Sequence, residues 1–151
     1  MKKTLLVIGI LVGLFAALSA CGRDTACYWD GLELYVAADS VTPTTLQLTA
    51  INNSNRYLGH GLRFRIEQYV NGTWRMPPIA NNVMWHLPLI IIGPESSREE
   101  DISWHHMHGP LPPGKYRIVR NFTLEDFSDP TPPWQQYRPD RYLYAVFTIP
   151  E

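Results

Sequence analysis

The sequence predicts an all-β protein, an antiparallel sandwich of about seven strands. Three observations carry that expectation. Short stretches alternate apolar and polar residues, most cleanly where Leu62, Phe64 and Ile66 interleave with Arg63, Arg65 and Glu67, the pattern of a strand with one buried face. Clusters of Gly, Pro, Asn and Ser separate these stretches. No segment shows an amphipathic helical period of comparable quality.

The chain opens with Met1-Lys2-Lys3, an apolar run from Leu5 to Ala17 and then Leu18-Ser19-Ala20-Cys21. That run is short for a membrane span and has the build of a signal peptide. Its end resembles the bacterial lipobox, in which cleavage before the cysteine leaves a sulfur that carries lipid. An ordinary secretory signal cut near Ala20 is the other reading. The expected division is a signal peptide over 1–20, a lipidated tether over 21–30 with Cys21 as the lipidation site, and one domain over 31–151. Each buried methylene of an acyl chain contributes about 0.8 kcal/mol to membrane anchoring. The protein is then expected in the cell envelope, on the extracytoplasmic side. Removing Lys2 and Lys3 leaves 11 basic residues against 14 acidic ones, a formal charge of −3 in place of −1. Such a chain lacks the basic footprint of a nucleic-acid binder. With Cys21 modified, Cys27 has no second cysteine to pair with, so the core is expected to hold without a disulfide.

The strands follow in order. Leu32, Leu34 and Val36 alternate with Glu33 and Tyr35 in the first. Leu46, Leu48 and Ala50 point inward in the second, over 45–52, which ends in the turn cluster Asn52-Asn53-Ser54-Asn55. The third, over 62–70, leads into Asn71-Gly72. Two loops fit there. A two-residue loop pairs Tyr69 with Trp74 and turns Trp74 outward; a three-residue loop pairs Gln68 with Trp74 and buries it beside Ile66. Burial of Trp74 and Met76 favours the second loop by a few kcal/mol, at about 25 cal/mol per Å². Residues 79–97 read as an irregular connection with one short buried strand. A strand over 98–104 points Ile102 and Trp104 inward, and Glu99-Glu100-Asp101 reads as its solvated start. Pro112-Pro113-Gly114 then releases a long alternating strand with Tyr116, Ile118 and Phe122 inward. After a connection over 123–140, the last strand points Leu143, Ala145, Phe147 and Ile149 inward.

Tyr116, just inside its strand after Leu111 and a turn glycine, stands where immunoglobulin-like sandwiches place the tyrosine of their corner, and Ile118 stands where an antibody domain has its second cysteine. A wider pattern joins it: Leu46-x-Leu48 with Asn52-Asn53-Ser54, Phe64-x-Ile66-Glu67 with Asn71-Gly72-x-Trp74, and Pro113-Gly114-x-Tyr116-Arg117-Ile118. Together these resemble the bacterial immunoglobulin-like domain of small lipoproteins, over roughly residues 32–149. Arg120 departs from the lysine more usual there. The resemblance implies an immunoglobulin-like fold and an extracytoplasmic compartment. It implies no shared catalytic residues.

No nucleophile with a base and no paired carboxylates are evident, so the chain is expected to act by binding, without a cofactor. His105, His106 and His108 are the one cluster with ligand chemistry, since neutral imidazoles suit Zn or Cu. They read either as a polar turn at one end of the sandwich or as the site of an extracytoplasmic metal-binding lipoprotein. The favoured function is a module for a protein or glycan partner. In such a sandwich the third, Tyr116-bearing and last strands are neighbours in one sheet. Their outward residues include Arg63, Arg65, Arg117, Tyr142 and Tyr144, and the following connection carries Trp134 and Tyr137. Arginine and tyrosine are enriched at binding hot spots; they also serve as plain polar cover for a sheet facing water.

Overall fold

A computed structural model describes residues 31–84, 88–125 and 141–151. The signal, the tether with Cys21 and Cys27, and the connection with Trp134 and Tyr137 lie outside the described residues. Within them are β1 (Leu32–Val36), β2 (Thr45–Asn52), β3 (Tyr57–His60), β4 (Phe64–Val70), β5 (Thr73–Arg75), β6 (Ile90–Ile92), β7 (Ser96–Ser103), a one-turn helix α1 (His105–His108), β8 (Gly114–Glu125) and β9 (Arg141–Ile149). The protein is an all-β sandwich of two antiparallel sheets. One has the order β1-β2-β7; the other has β5-β4-β8-β3-β6, with β9 also on β8. The expected neighbours β4, β8 and β9 are indeed adjacent.

Period-two patterning explains the core directly, because alternate side chains of a strand share a face. Leu34, Ala50 and Arg98 form one row across the first sheet, and Leu46 faces Ile102. From the second sheet come Ile66, Ile118 and Ala145 in one row, with Phe122 and Ile149 nearby. Leu32, Leu34, Ile66, Ile118 and Phe122 are completely inaccessible to solvent.

The tyrosine corner is present. The Tyr116 hydroxyl donates to the Pro112 carbonyl at 2.8 Å, and its ring stacks on Phe147 at 5.6 Å and 21°. Burial raises the phenol's pKa. The same end is tied to the opposite sheet through the Pro43 carbonyl. It accepts from Trp104 Nε1 at 2.9 Å and from the Leu111 backbone N–H at 2.8 Å.

Several expectations need correction. The hairpin is the two-residue one: Tyr69 pairs with Trp74 and Val70 with Thr73. Asn71 and Gly72 have φ of 51° and 81°, which is the type I′ geometry that Asn-Gly favours because its twist matches the flanking strands. Turn chemistry decided the register, and Trp74 finds its cover on the outer face. The second strand ends at Asn52 as expected, but Asn52 is buried rather than part of an open turn, its side-chain amide donating to the Arg56 and Gly93 carbonyls at 2.8 and 2.7 Å. The strand β3 was not foreseen, and β4 begins at Phe64, so Leu62 and Arg63 precede it. Both β3 and β4 pair with β8: Gly59 faces Thr123 and Phe64 faces Arg120. Four residues, 60–63, therefore span what two cover on β8. Finally, Glu100 is not solvated. It shares a face with Ile102, opposite Leu48, and points between the sheets.

Candidate functional site

The outward residues of β4, β8 and β9 stand in rows: Arg65, Val119 and Tyr144 in one, Glu67, Arg117 and Val146 in the next. Arg117 lies at the centre of this face. Its Cζ is 4.6 Å from the Trp74 ring centroid and 4.9 Å from that of Tyr144. Its Nε and Nη2 both donate to Glu67 Oε2, at 2.6 and 2.5 Å, while Arg65 Nε donates to Glu67 Oε1 at 2.6 Å. Lys115 Nζ sits 5.4 Å over the Tyr69 ring, and Tyr69 leans on Trp74 at 5.0 Å. The outcome is a continuous stack of Lys115, Tyr69, Trp74, Arg117 and Tyr144. Each cation–π contact contributes about 0.5–1 kcal/mol at an exposed site, and together with Glu67 they hold these long side chains in one arrangement. Tyr142 continues the face and is 61% exposed. Arg63 is exposed but precedes β4, outside the ladder.

Beneath this sheet, a polar cluster crosses the core. Arg120, inward on β8 and 3% exposed, donates through Nη1 to Glu100 Oε2, and its Nη1 lies 3.5 Å from His60 Nδ1. Glu100 also accepts from Arg98 Nε at 2.9 Å. His60 Nε2 approaches Glu100 Oε1 at 3.4 Å, and Nδ1 faces the Gly61 carbonyl at 3.0 Å. Burial, reinforced by the Arg120 charge, lowers the pKa of His60 despite the Gly61 contact and Glu100. The imidazole is thus neutral at pH 7, and its approach to Glu100 is a polar contact rather than an ion pair. For Glu100, burial works the other way, but the hydrogen bond and charge of Arg120, together with Arg98, outweigh it and lower the pKa. Glu100 and Arg120 therefore join the two sheets as a charged pair.

Residues 30–132 match the family described as Bacterial Ig-like domain. The chain belongs to that family. No curated protein matches it. Bacterial Ig-like domains are typically extracellular or surface-exposed, and among the described residues no helix is long and apolar enough to cross a membrane.

The remaining candidates of this Ig-like domain fall elsewhere. His105, His106 and His108 occupy the single turn of α1, where successive positions diverge around the helix. His108 Nδ1 lies 2.8 Å from the Pro78 carbonyl. Among the described residues no group of three or more His, Cys, Asp or Glu side chains is placed to hold a metal ion. A cleft of about 430 Å³ opens between β7 and β4 over Leu62, Phe64, Arg98 and the edge of the Glu100–Arg120 pair. Sequence reasoning missed three members of the outer stack. Lys115 and Tyr69 share the outward parity of Arg117 and Arg65, so alternation alone was enough to find them; Trp74 needed the two-residue reading of Asn71-Gly72.

Proposed function

We propose that this chain is a lipid-anchored extracytoplasmic binding module, held to the membrane through Cys21, that engages a protein or glycan partner with the outer face of β5, β4, β8 and β9. The observation that carries the reading is the stack of Trp74, Arg117 and Tyr144 pinned by Glu67. Trp, Tyr and Arg dominate binding hot spots because each offers a large surface with polar reach. Fixing them beforehand lowers the ordering cost of association, about 0.5–1.5 kcal/mol for each immobilised side chain. Plain polar cover of a sheet requires no such immobilisation. Support for the anchor comes from Leu18-Ser19-Ala20-Cys21 after a short apolar run, and the extracytoplasmic habit of the family agrees with it. No nucleic-acid partner is proposed.

The test replaces Arg65, Arg117 and Tyr144 together with Ala and captures partners from the native envelope with the anchor intact. The triple variant is expected to fold and to lose the partner that the parent captures. Retained capture by the folded variant overturns this site and moves the search to the opposite sheet.

A further inference from the structure

The three-stranded sheet ends on β7. That strand pairs with β2 along its whole length, from Ser96 opposite Asn52 to Ser103 opposite Thr45. Among the described residues no strand pairs with its other side, and no loop backbone hydrogen bond reaches residues 96–103. The chain path explains this: β6, the strand just before β7, pairs with β3 and so belongs to the opposite sheet. Alternate residues of an edge strand aim their N–H and C=O groups away from the neighbouring strand. The cleft of about 430 Å³ runs along that edge, lined by every residue from Arg98 to Ser103. Inward and outward positions both take part, so this wall is the edge of the strand and not one of its faces. Leu62 and Phe64, at the entry to β4, supply an apolar wall opposite. Five residue steps at ~3.3 Å give a length of about 17 Å, which suits one strand of ordinary size.

The charges along β7 select what fits beside it. Glu99 and Asp101 have the opposite parity to Ile102 and so lie on the outer face of the sheet, where Glu99 has Thr49 and Tyr35 in its row and Asp101 has Gln47. Both are exposed, and among the described residues neither makes a hydrogen bond or ion pair. Glu100, by contrast, is taken by Arg98 and Arg120. A second copy of this chain is a poor occupant. Antiparallel pairing of β7 with itself keeps outward residues opposite outward residues, so a register centred on 99, 100 or 101 sets Glu99 or Asp101 against itself or against the other. Like charges directly opposite destabilise a strand pair. A strand carrying Lys or Arg at two outward positions, two residues apart, reverses the sign of both contacts. Its alternate residues then turn toward Leu62 and Phe64, and apolar side chains suit that side.

We propose that the outer edge of β7 is a second binding site, separate from the outer face of β5, β4, β8 and β9. It takes an extended segment of another protein, with basic and apolar residues alternating, as a fourth strand of the β1-β2-β7 sheet. Backbone hydrogen bonds to the edge hold the segment. Glu99 and Asp101 choose its sequence.

The experiment uses the full chain in detergent and three short synthetic peptides: alternating Lys and Val, the same peptide with every backbone nitrogen methylated, and alternating Glu and Val. At low salt the Lys-Val peptide should bind at least tenfold more tightly than either of the others. Its binding should slow amide exchange at least tenfold at alternate residues of 97–103. Glu99→Lys with Asp101→Lys should weaken it at least tenfold; if that variant does not fold, Glu99→Gln with Asp101→Asn serves, with at least a threefold loss expected. The folded Arg65, Arg117 and Tyr144 variant should bind the peptide as the parent does. Equal binding of the methylated peptide overturns strand addition, because charge without backbone donors is then enough. Unchanged exchange in β7 with the Lys-Val peptide bound, or binding retained by the folded charge variant, overturns the edge as the site. Loss of binding in the Arg65, Arg117 and Tyr144 variant overturns it too and places the contact on the outer face. Failure of the Lys-Val peptide to bind leaves β7 as an edge whose acidic residues only keep other strands away, and the proposal falls.

Discussion

Removing Glu100 should cost more than removing its partner Arg120. The Arg120 side chain is 3% exposed, and without Glu100 its Nη1 is left with a 3.5 Å approach to His60 Nδ1, while its buried Nε has no partner among the described residues. Stranding a buried charge in this way costs about 3–5 kcal/mol, a large share of the ~5–15 kcal/mol that holds a domain together. In the converse variant, Arg120→Met, Glu100 keeps Arg98 Nε at 2.9 Å and a side chain 12% exposed, so about 1–3 kcal/mol is expected. The double variant, Glu100→Leu with Arg120→Met, exchanges the pair for apolar groups of similar volume. It should lie within about 1 kcal/mol of the parent or be more stable. Urea unfolding at pH 7 measures all three; with a slope of ~2 kcal/mol per M, Glu100→Leu lowers the midpoint by about 2 M. The reasoning fails if Glu100→Leu costs less than about 1 kcal/mol, or no more than Arg120→Met, or if the two losses simply add in the double variant.

Three further outcomes are expected. Tyr116→Phe removes the bond to the Pro112 carbonyl and should lose roughly 1 kcal/mol, read as a lower denaturant midpoint; an unchanged midpoint would show that the corner contributes nothing to stability. Acidification should destabilise the protein in two windows. The native pKa of His60 lies below 6.5, so as pH falls from 6.5 toward that value the unfolded chain binds a proton that the native state refuses, and stability drops by at most about 1.4 kcal/mol per pH unit. Glu100, lowered from 4.5, holds its contribution above 4.5 and loses it as pH falls through the native value. The difference between parent and His60→Leu unfolding curves from pH 7 to 5 isolates the first window, and a parent that gains stability relative to the variant on acidification would refute it. Cys21→Ser should leave an unprocessed precursor that takes up no labelled fatty acid; equal labelling of variant and parent would remove the anchor.

Most of what is written in alternation was legible in the sequence alone. Leu32 and Leu34, Leu46 and Leu48, and Ile118 and Phe122 declared their faces because a strand's side chains alternate, and Tyr116 declared its corner because the partner carbonyl is four residues away. Arg65, Arg117 and Tyr144 were placed on one face by the same parity. The parity of Ile102 and Trp104 turned Glu100 inward as well, but a run of three acidic residues reads as solvated until a cation is seen to meet it. That cation, Arg120, belongs to the other sheet. Asn52 posed the same difficulty, since its buried amide is satisfied by a carbonyl of residue 93, reached only when β6 and β7 turn back beside β2. Trp74 depended on a slip of one residue, which reverses a strand's faces, and its outward side became favourable only with Arg117 waiting there from β8. The local chain thus determined which side chains face inward and where most of the strands run. Tertiary structure decided which buried polar groups are paired and what covers the outer rings, because those partners meet only once the two sheets have formed and closed on each other.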